Sequence, residues 1–374
     1  MDASPAQLAT LVVGAGFVIA LAFGYVAASA NFCTMGALAD IVNLGHWGRM
    51  RMWLLAVAVA IAGTTLLSLA GLVDLSRSVA QRPNLPWLSL LVGGALFGVG
   101  MTLAGGCPNK NLLRVGGGSL RALVVLSFVA IASAMTLKGL FGHWRARWLD
   151  PQRIDLGELG WPDQGLGSAL ARLTGLAPKA ALAVAATLVV LALLAFAFAD
   201  RRFRANRRQV AAGALLGLLV VAGWYVTGHL GFGENPETLE FTSFGTNSRS
   251  LESLSFVAPL AYTLELLTLW TDASLRPTFG VAAVVGVVAG SLLHALVHRQ
   301  FRWEGFASVQ DLRTQLGGAV LMGFGGVTAL GCSIGQGLSG VSTLALGSFV
   351  AVGAIVAGSV ATLHWIVWRT EREA

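Results

Sequence analysis

Cys33, Cys107 and Cys332 are the three cysteines of this 374-residue chain, and each stands where a long apolar run is interrupted by glycine, small or hydroxyl residues. The interruptions read Ser29-Ala30-Asn31-Phe32-Cys33-Thr34-Met35-Gly36, Gly105-Gly106-Cys107-Pro108-Asn109-Lys110 and Gly331-Cys332-Ser333-Ile334-Gly335-Gln336. A fourth break, Phe244-Gly245-Thr246-Asn247-Ser248-Arg249, has no thiol. Three cysteines without a CxxC pair make neither a disulfide framework nor a zinc set. Walker-type and dinucleotide-binding glycine patterns are also missing, so no cofactor is expected. What remains is the chemistry of thiols at chain breaks. Pro108 suits the first position of a helix and makes Cys107 its N-cap by position, while Asn247 or Ser248 would cap a helix at the fourth break. All four breaks therefore read as helix starts. Helix N-termini converging from opposite faces favour an anion, and a thiol at such an end is more acidic and a better hydrogen-bond partner. A cysteine in a membrane protein can also be only a small hydrophobe. Against that, all three fall within breaks that span under a tenth of the chain. The expected site is sulfur-directed: Cys33, Cys107 and Cys332 with Gly106, Gly331, Ser333, Lys110 and Asn31.

Other polar residues are open to two readings. Lys110 could attract anions or snorkel to headgroups. Arg249 and Glu252 read as a surface ion pair in preference to a lining of the outer break. Glu265 reads as an interfacial carboxylate in preference to a proton-coupling group. Trp47, Trp53, Trp87, Trp144, Trp148, Trp161, Trp224, Trp365 and Trp368 lie near span ends and are expected in the interfacial belt. The segment Asp150 to Ala177, weakly amphipathic over Gly167 to Leu176, is expected on the outer surface, with no function assigned.

The elements that must position the cysteines are membrane helices. Hydrophobic residues make up 55% of the chain and charged ones only 11%, far below the roughly 25% of a soluble domain. Apolar runs at about 9–28, 53–73, 87–104, 119–142, 179–199, 209–228, 278–297, 314–330 and 343–368 give nine spans, each near the roughly 20 residues a bilayer needs. Leu254 to Trp270, broken by Pro259, reads as a short helix that does not cross. Met1 to Ala30 reads as a retained first span, not a cleaved leader. Fifteen of the 25 Lys and Arg residues fall on one set of loops, including the run Arg201 to Arg208. That places the N-terminus outside and the C-terminus in the cytoplasm. The formal net charge of +7 fits loops facing anionic lipid, and no basic stretch is interleaved with aromatics as a nucleic-acid surface would be.

Gly93-Gly94-Ala95 through Leu103-Ala104-Gly105-Gly106-Cys107 matches Gly317-Gly318-Ala319 through Ala329-Leu330-Gly331-Cys332 with a one-residue gap. The expected fold is an all-α membrane protein of about nine transmembrane helices with re-entrant short helices in a pseudo-two-fold inverted repeat. It divides into a first repeat at 1–142, an outer loop, linking span and arginine-rich inner loop at 143–208, and a second repeat at 209–374. Such repeats hold substrate near the midplane, where broken helices meet.

Gly105-Gly106-Cys107-Pro108-Asn109-Lys110-Asn111-Leu112-Leu113-Arg114 with Gly116-Gly117-Gly118, paired with Gly331-Cys332-Ser333-Ile334-Gly335-Gln336-Gly337, resembles the YeeE/YedE family of bacterial inner-membrane sulfur transporters. The resemblance runs from about Phe17 to Leu363. It implies nine crossing helices with re-entrant segments, thiosulfate uptake, a relay of three cysteines matched here by Cys33, Cys107 and Cys332, and a cytosolic TusA-like sulfur carrier as partner. Asn109-Lys110-Asn111 departs from the small or hydroxyl residues common in thiosulfate-transporting members and is similar to the YedE-like branch. The leading expectation is thus a permease for thiosulfate or a similar sulfur anion, not an enzyme. The alternatives are a membrane sulfurtransferase that passes sulfane sulfur as a cysteine persulfide, and a membrane subunit whose broken helices merely pack.

Overall fold

Apolar runs without internal proline become helices because in lipid every backbone polar group must be paired within its own segment. The computed structural model describes residues 4–236, 239–306 and 308–373. Met1 to Ala3, where the first-span reading begins, and Ala374, where the second repeat was expected to end, lie outside the described residues.

The first part of the chain forms α1 (Pro5–Ala30), α2 (Thr34–Leu44), α3 (Gly48–Leu69), α4 (Trp87–Leu103), α5 (Pro108–Gly116) and α6 (Leu120–Lys138). A short α7 (Leu140–Trp144), α8 (Leu166–Thr174), α9 (Pro178–Phe198) and α10 (Arg201–Ala205) follow. The chain ends with α11 (Arg207–Tyr225), α12 (Val257–Thr268), α13 (Phe279–Val297), α14 (Val309–Thr328) and α15 (Leu346–Glu373). Two small antiparallel pairs, Asn84–Leu85 with Ile154–Asp155 and Phe232–Glu234 with Phe241–Ser243, are the strand elements among the described residues.

Eight described segments are long and apolar enough to cross a bilayer: α1 with α2 (Pro5–Leu44), α3, α4 with α5 (Trp87–Gly116), α6, α9, α11 with the turn after it (Arg207–Leu230), α13 and α15. The ninth expected span falls on α14, which is long enough at 20 residues but opens with Gln310, Asp311, Arg313 and Gln315. That polar start lowers its hydropathy, and α14 lies against α4 and α6. The non-crossing segment expected near Pro259 is the 12-residue α12.

Glycine lets these helices touch backbone to backbone. A Cβ added at Gly98 would stand 2.2 Å from the Ile355 carbonyl oxygen, so α4 and α15 meet with no room for a side chain. Gly93 and Gly100 of α4 face Gly325 and Gly318 of α14, so the two glycine-rich motifs run antiparallel against each other. The helix pairs form a matched set: α1 packs on α13 as α11 packs on α3, and α4 packs on α15 as α14 packs on α6.

Two expectations are corrected here. Trp53 and Trp224 are buried in the core, not in an interfacial belt. Trp224 donates from Nε1 to Ser342 Oγ at 2.9 Å, and Trp53 lies against Gly337. Nor does a helix start at Asn247 or Ser248. Residues 244–256 stay irregular because Thr246 turns back on Ser243 and Ser250, and α12 begins only after Phe256.

A candidate anion site where three broken helices meet

Each cysteine is placed by the same local device. Helices α1, α4 and α14 end in residues with left-handed backbone, Asn31 (φ 54°), Gly105 (φ 66°) and Leu330 (φ 57°). The next residue closes a six-to-one hydrogen bond: Phe32 N to Ala27 O at 2.9 Å, Gly106 N to Met101 O at 2.8 Å and Gly331 N to Gly326 O at 2.8 Å. This is the Schellman ending, and it satisfies the last carbonyls while turning the chain sharply. The cysteine follows at once in all three cases. Glycine suits the left-handed position, asparagine tolerates it, and Leu330 holds it at a cost of roughly 1–2 kcal/mol.

The three thiols then take different partners. Cys33 caps α2, its Sγ accepting from Gly36 N at 3.3 Å. Cys332 Sγ accepts from Gly335 N at 3.4 Å, at the start of a π-helical turn over Gly335–Gly340. Cys107 is the N-cap of α5 by position, with Pro108 behind it, but its side chain makes no cap bond. Instead the Cys107 thiol lies within side-chain reach of the Cys33 thiol on one side and of the Ser333 hydroxyl, next to Cys332, on the other. All three cysteines are buried and unoxidised. Of the expected set, Cys33, Cys107 and Ser333 are therefore brought together, with Cys332 adjoining through Ser333 and Gly106 and Gly331 at the turns beside them.

Around the thiols are buried polar atoms with no protein partner among the described residues: Thr34 Oγ1, Asn109 Oδ1 and Nδ2, and Gln336 Oε1. Buried polar groups are normally hydrogen-bonded, so a cluster of unpaired ones needs a reason. Each lies within four residues of a cysteine in the sequence. Asn109 stands out in the sequence only as part of a family departure, and Thr34 and Gln336 do not stand out, because a single polar residue in an apolar run carries no sign of whether it finds a partner.

The two ends of this cluster differ. Beside Cys33, Lys110 donates from Nζ to Asn31 Oδ1 at 2.5 Å. Lys110, Arg114 and Arg49 all bear electrostatically on Cys33, and Arg49 is held by Asp40. Lys110 thus anchors a basic mouth together with Asn31. Arg114 and Arg49 belong with it, although sequence reasoning used both only to count positive charge. At the Cys332 end a cavity of about 270 Å³ reaches Gly331, Gly335 and Gln336, and its walls include Arg145, Glu252 and Tyr262. A second cavity of about 340 Å³ shares Arg145, Leu330 and Gln336 with it and extends to Arg82 and Arg153. The 150–177 segment closes this side: Gln164 donates to Arg82 O at 2.6 Å and its Oε1 accepts from Gly347 N at 3.2 Å.

The expected Arg249–Glu252 ion pair is absent among the described residues, because the irregular chain turns Glu252 into the cavity instead. Glu265, by contrast, pairs with Lys138 at 2.6 Å on the periphery.

Comparison with known proteins gives the family. A thiosulfate transporter, TsuA, of Spirochaeta thermophila is 27% identical over 360 residues, which is 95% of this chain and 98% of that one. A thiosulfate transporter, TsuA, of Escherichia coli is 26% identical over 382 aligned positions, covering 96% of each chain. The family profile described as sulphur transport matches residues 29–361, from the first break through most of α15, and all three cysteines fall within it. The chain is a multi-pass membrane protein and belongs to the sulphur transport family.

Proposed function

We propose that this protein takes up thiosulfate or a similar sulfur-containing anion through the cysteine-lined junction of its broken helices. The observation that carries the reading is the meeting of Cys33, Cys107 and Cys332 at turned helix ends, among hydroxyl and amide groups that have no protein partner. A sulfur oxyanion offers both halves of the match. Its oxygens accept from hydroxyl and amide donors and from the helix ends, and its terminal sulfur meets thiols. The cargo passes from the cavity to Cys332, on to Cys107 and Cys33, and out past Lys110 and Asn31, with no covalent step required.

The matched helix pairs support an inverted repeat of residues 1–142 and 209–374 joined by 143–208. We place the protein in the bacterial inner membrane, N-terminus outside. A cysteine introduced near Asn84 or Gly165 should then react with an impermeant label from outside, and one near Asn206 should not. The basic mouth faces the cytoplasm in this orientation, where a TusA-like carrier would receive the sulfur and the Arg201–Arg208 run would face anionic lipid. Bringing a dianion in against an inside-negative potential costs about 4.6 kcal/mol per 100 mV, so import needs an ion partner or rapid consumption inside.

Uptake of labelled thiosulfate into proteoliposomes, beside sulfite, selenite and sulfate, tests the proposal. Sulfate should compete roughly tenfold to a hundredfold more weakly than unlabelled thiosulfate, from about 1–3 kcal/mol for one mispaired group. Equal competition would reduce the site to a general anion hole. A persulfide found on Cys107 by mass spectrometry would favour sulfur transfer over intact passage.

A further inference from the structure

Among the described residues, Glu252 is the only carboxylate lining the cavity of about 270 Å³ that leads to Gly331 and Gln336. Its backbone is clamped, the carbonyl accepting from Thr227 Oγ1 at 2.6 Å and the amide donating to the same oxygen at 3.4 Å. The carboxylate accepts one long hydrogen bond, from Ser248 Oγ at 3.4 Å, and forms no ion pair among the described residues. A half-buried carboxyl group that lines this cavity with one long hydrogen bond and no ion pair is open to exchange a proton with the contents of the cavity. Burial raises its pKa to about 7, against the small lowering by Ser248.

The groups around it leave Glu252 as the ionisable member. Tyr262 faces it from α12. Arg145, on the turn after α7, also lines the cavity but is engaged by Asp150 at 3.1 Å. Arg249 is on the same irregular segment and does not line the cavity, while the Gly335–Gly340 turn, α11 and α13 present neutral Gln336, Ser339, Trp224 and Gly280. His229, at the end of α11, packs on Tyr225 and interacts with Leu72 O, away from the cavity lining.

We propose that Glu252 is a proton-binding site linked to anion entry: the carboxyl takes up one proton from the outer solution as the dianion occupies the cavity. An ionised carboxylate and a dianion in one cavity repel each other, whereas a neutral carboxyl can donate to an anion oxygen. Linkage makes this reciprocal, so low outside pH tightens anion binding and anion binding draws in a proton. No bond other than the O–H of the carboxyl forms or breaks. The inference deepens the proposed uptake of a sulfur anion and rests on that reading and its orientation.

Thiosulfate stays a dianion across neutral pH, so a pH dependence of its uptake reports on groups of the protein, and the Glu252 variants single out this one. With binding confined to the protonated fraction and a midpoint near 7, half-saturating thiosulfate should rise about tenfold between outside pH 6 and pH 8. Glu252→Gln, neutral at every pH, should remove that rise and keep the tight value. Glu252→Asp should keep a pH dependence with a displaced midpoint. As a readout independent of transport, thiosulfate added to purified protein in weakly buffered solution at pH 7.5 with an indicator dye should cause proton uptake. The signal should be lost in Glu252→Gln. Wild-type uptake that ignores pH, a Glu252→Gln variant with the wild-type slope, or no anion-linked proton uptake by the wild-type protein would overturn the proposal. Wild-type vesicles that take up no thiosulfate at pH 6 would instead overturn the transport reading.

Discussion

The two Gly-Cys breaks begin alike and then diverge. Up to the cysteine both follow one plan, a glycine-rich helix closed by a left-handed residue and a six-to-one bond. In each, a side-chain amide four residues beyond the cysteine ties the turn: Asn111 Nδ2 donates to Gly106 O at 3.0 Å, and Gln336 Nε2 donates to Ala329 O at 2.7 Å. After the cysteine, Pro108 pre-sets a regular helix, α5, that carries Lys110 and Arg114. The corresponding positions after Cys332 are Ser333, Gly335 and Ser339, and the chain there winds as a π-helical turn without charge. One repeated frame thus supplies a basic mouth beside Cys33 and a neutral polar wall on the cavity.

Substitutions can break the shared frame first. Gly98→Val forces methyl groups into the Ile355 and Ser359 backbone. It should cost more than the roughly 1–3 kcal/mol typical of overpacking, seen as loss of monodisperse protein and a lowered melting temperature. Within a folded protein, Cys107→Ala and Cys332→Ala should each abolish thiosulfate uptake at unchanged expression. Cys33→Ala, on the exit side, should slow uptake without abolishing it. Retained uptake in both of the first two variants would remove the relay. The Cys→Ser versions keep a hydroxyl at the helix end and lose the soft sulfur, so normal thiosulfate uptake with sulfate still excluded would make the thiols spectators.

The difference between the breaks is tested by smaller effects. Gln336→Leu removes the Nε2 tie to Ala329 O that holds the turn beside Cys332, and should raise half-saturating thiosulfate roughly tenfold, from about 1–1.5 kcal/mol for one lost hydrogen bond. Lys110→Met should lower the uptake rate about two- to fivefold, as expected for a screened charge contact. It should also weaken the dependence on salt inside the vesicle, whereas Gln336→Leu should leave that dependence unchanged. The same salt response in both variants would erase the distinction between the two mouths.

The positions of the cysteines and the helix-breaking glycines were legible in the sequence because both are local: glycine and proline punctuate a helix wherever it packs. Leu330 was not legible as a left-handed residue, since only its Schellman bond to the preceding helix holds it there. Glu252 and Arg249 show the limit more clearly. Their spacing suggests an ion pair, yet the fold of residues 244–256 separates the two and turns the carboxylate into the cavity. Asn247 and Ser248 likewise have capping side chains with no helix to cap.

The sequence alone determined an all-α membrane protein, its glycine-rich repeat and the cysteines at its breaks, because apolar length, residue type and chain punctuation act within a few turns of helix. Only the tertiary structure decided that Cys33, Cys107 and Ser333 are neighbours, that Trp53 and Trp224 are core residues, and that Glu252 lines the cavity. These depend on contacts between segments tens to hundreds of residues apart. Glycine-to-backbone packing sets those contacts to within an ångström, and no local pattern records which helix will be the neighbour.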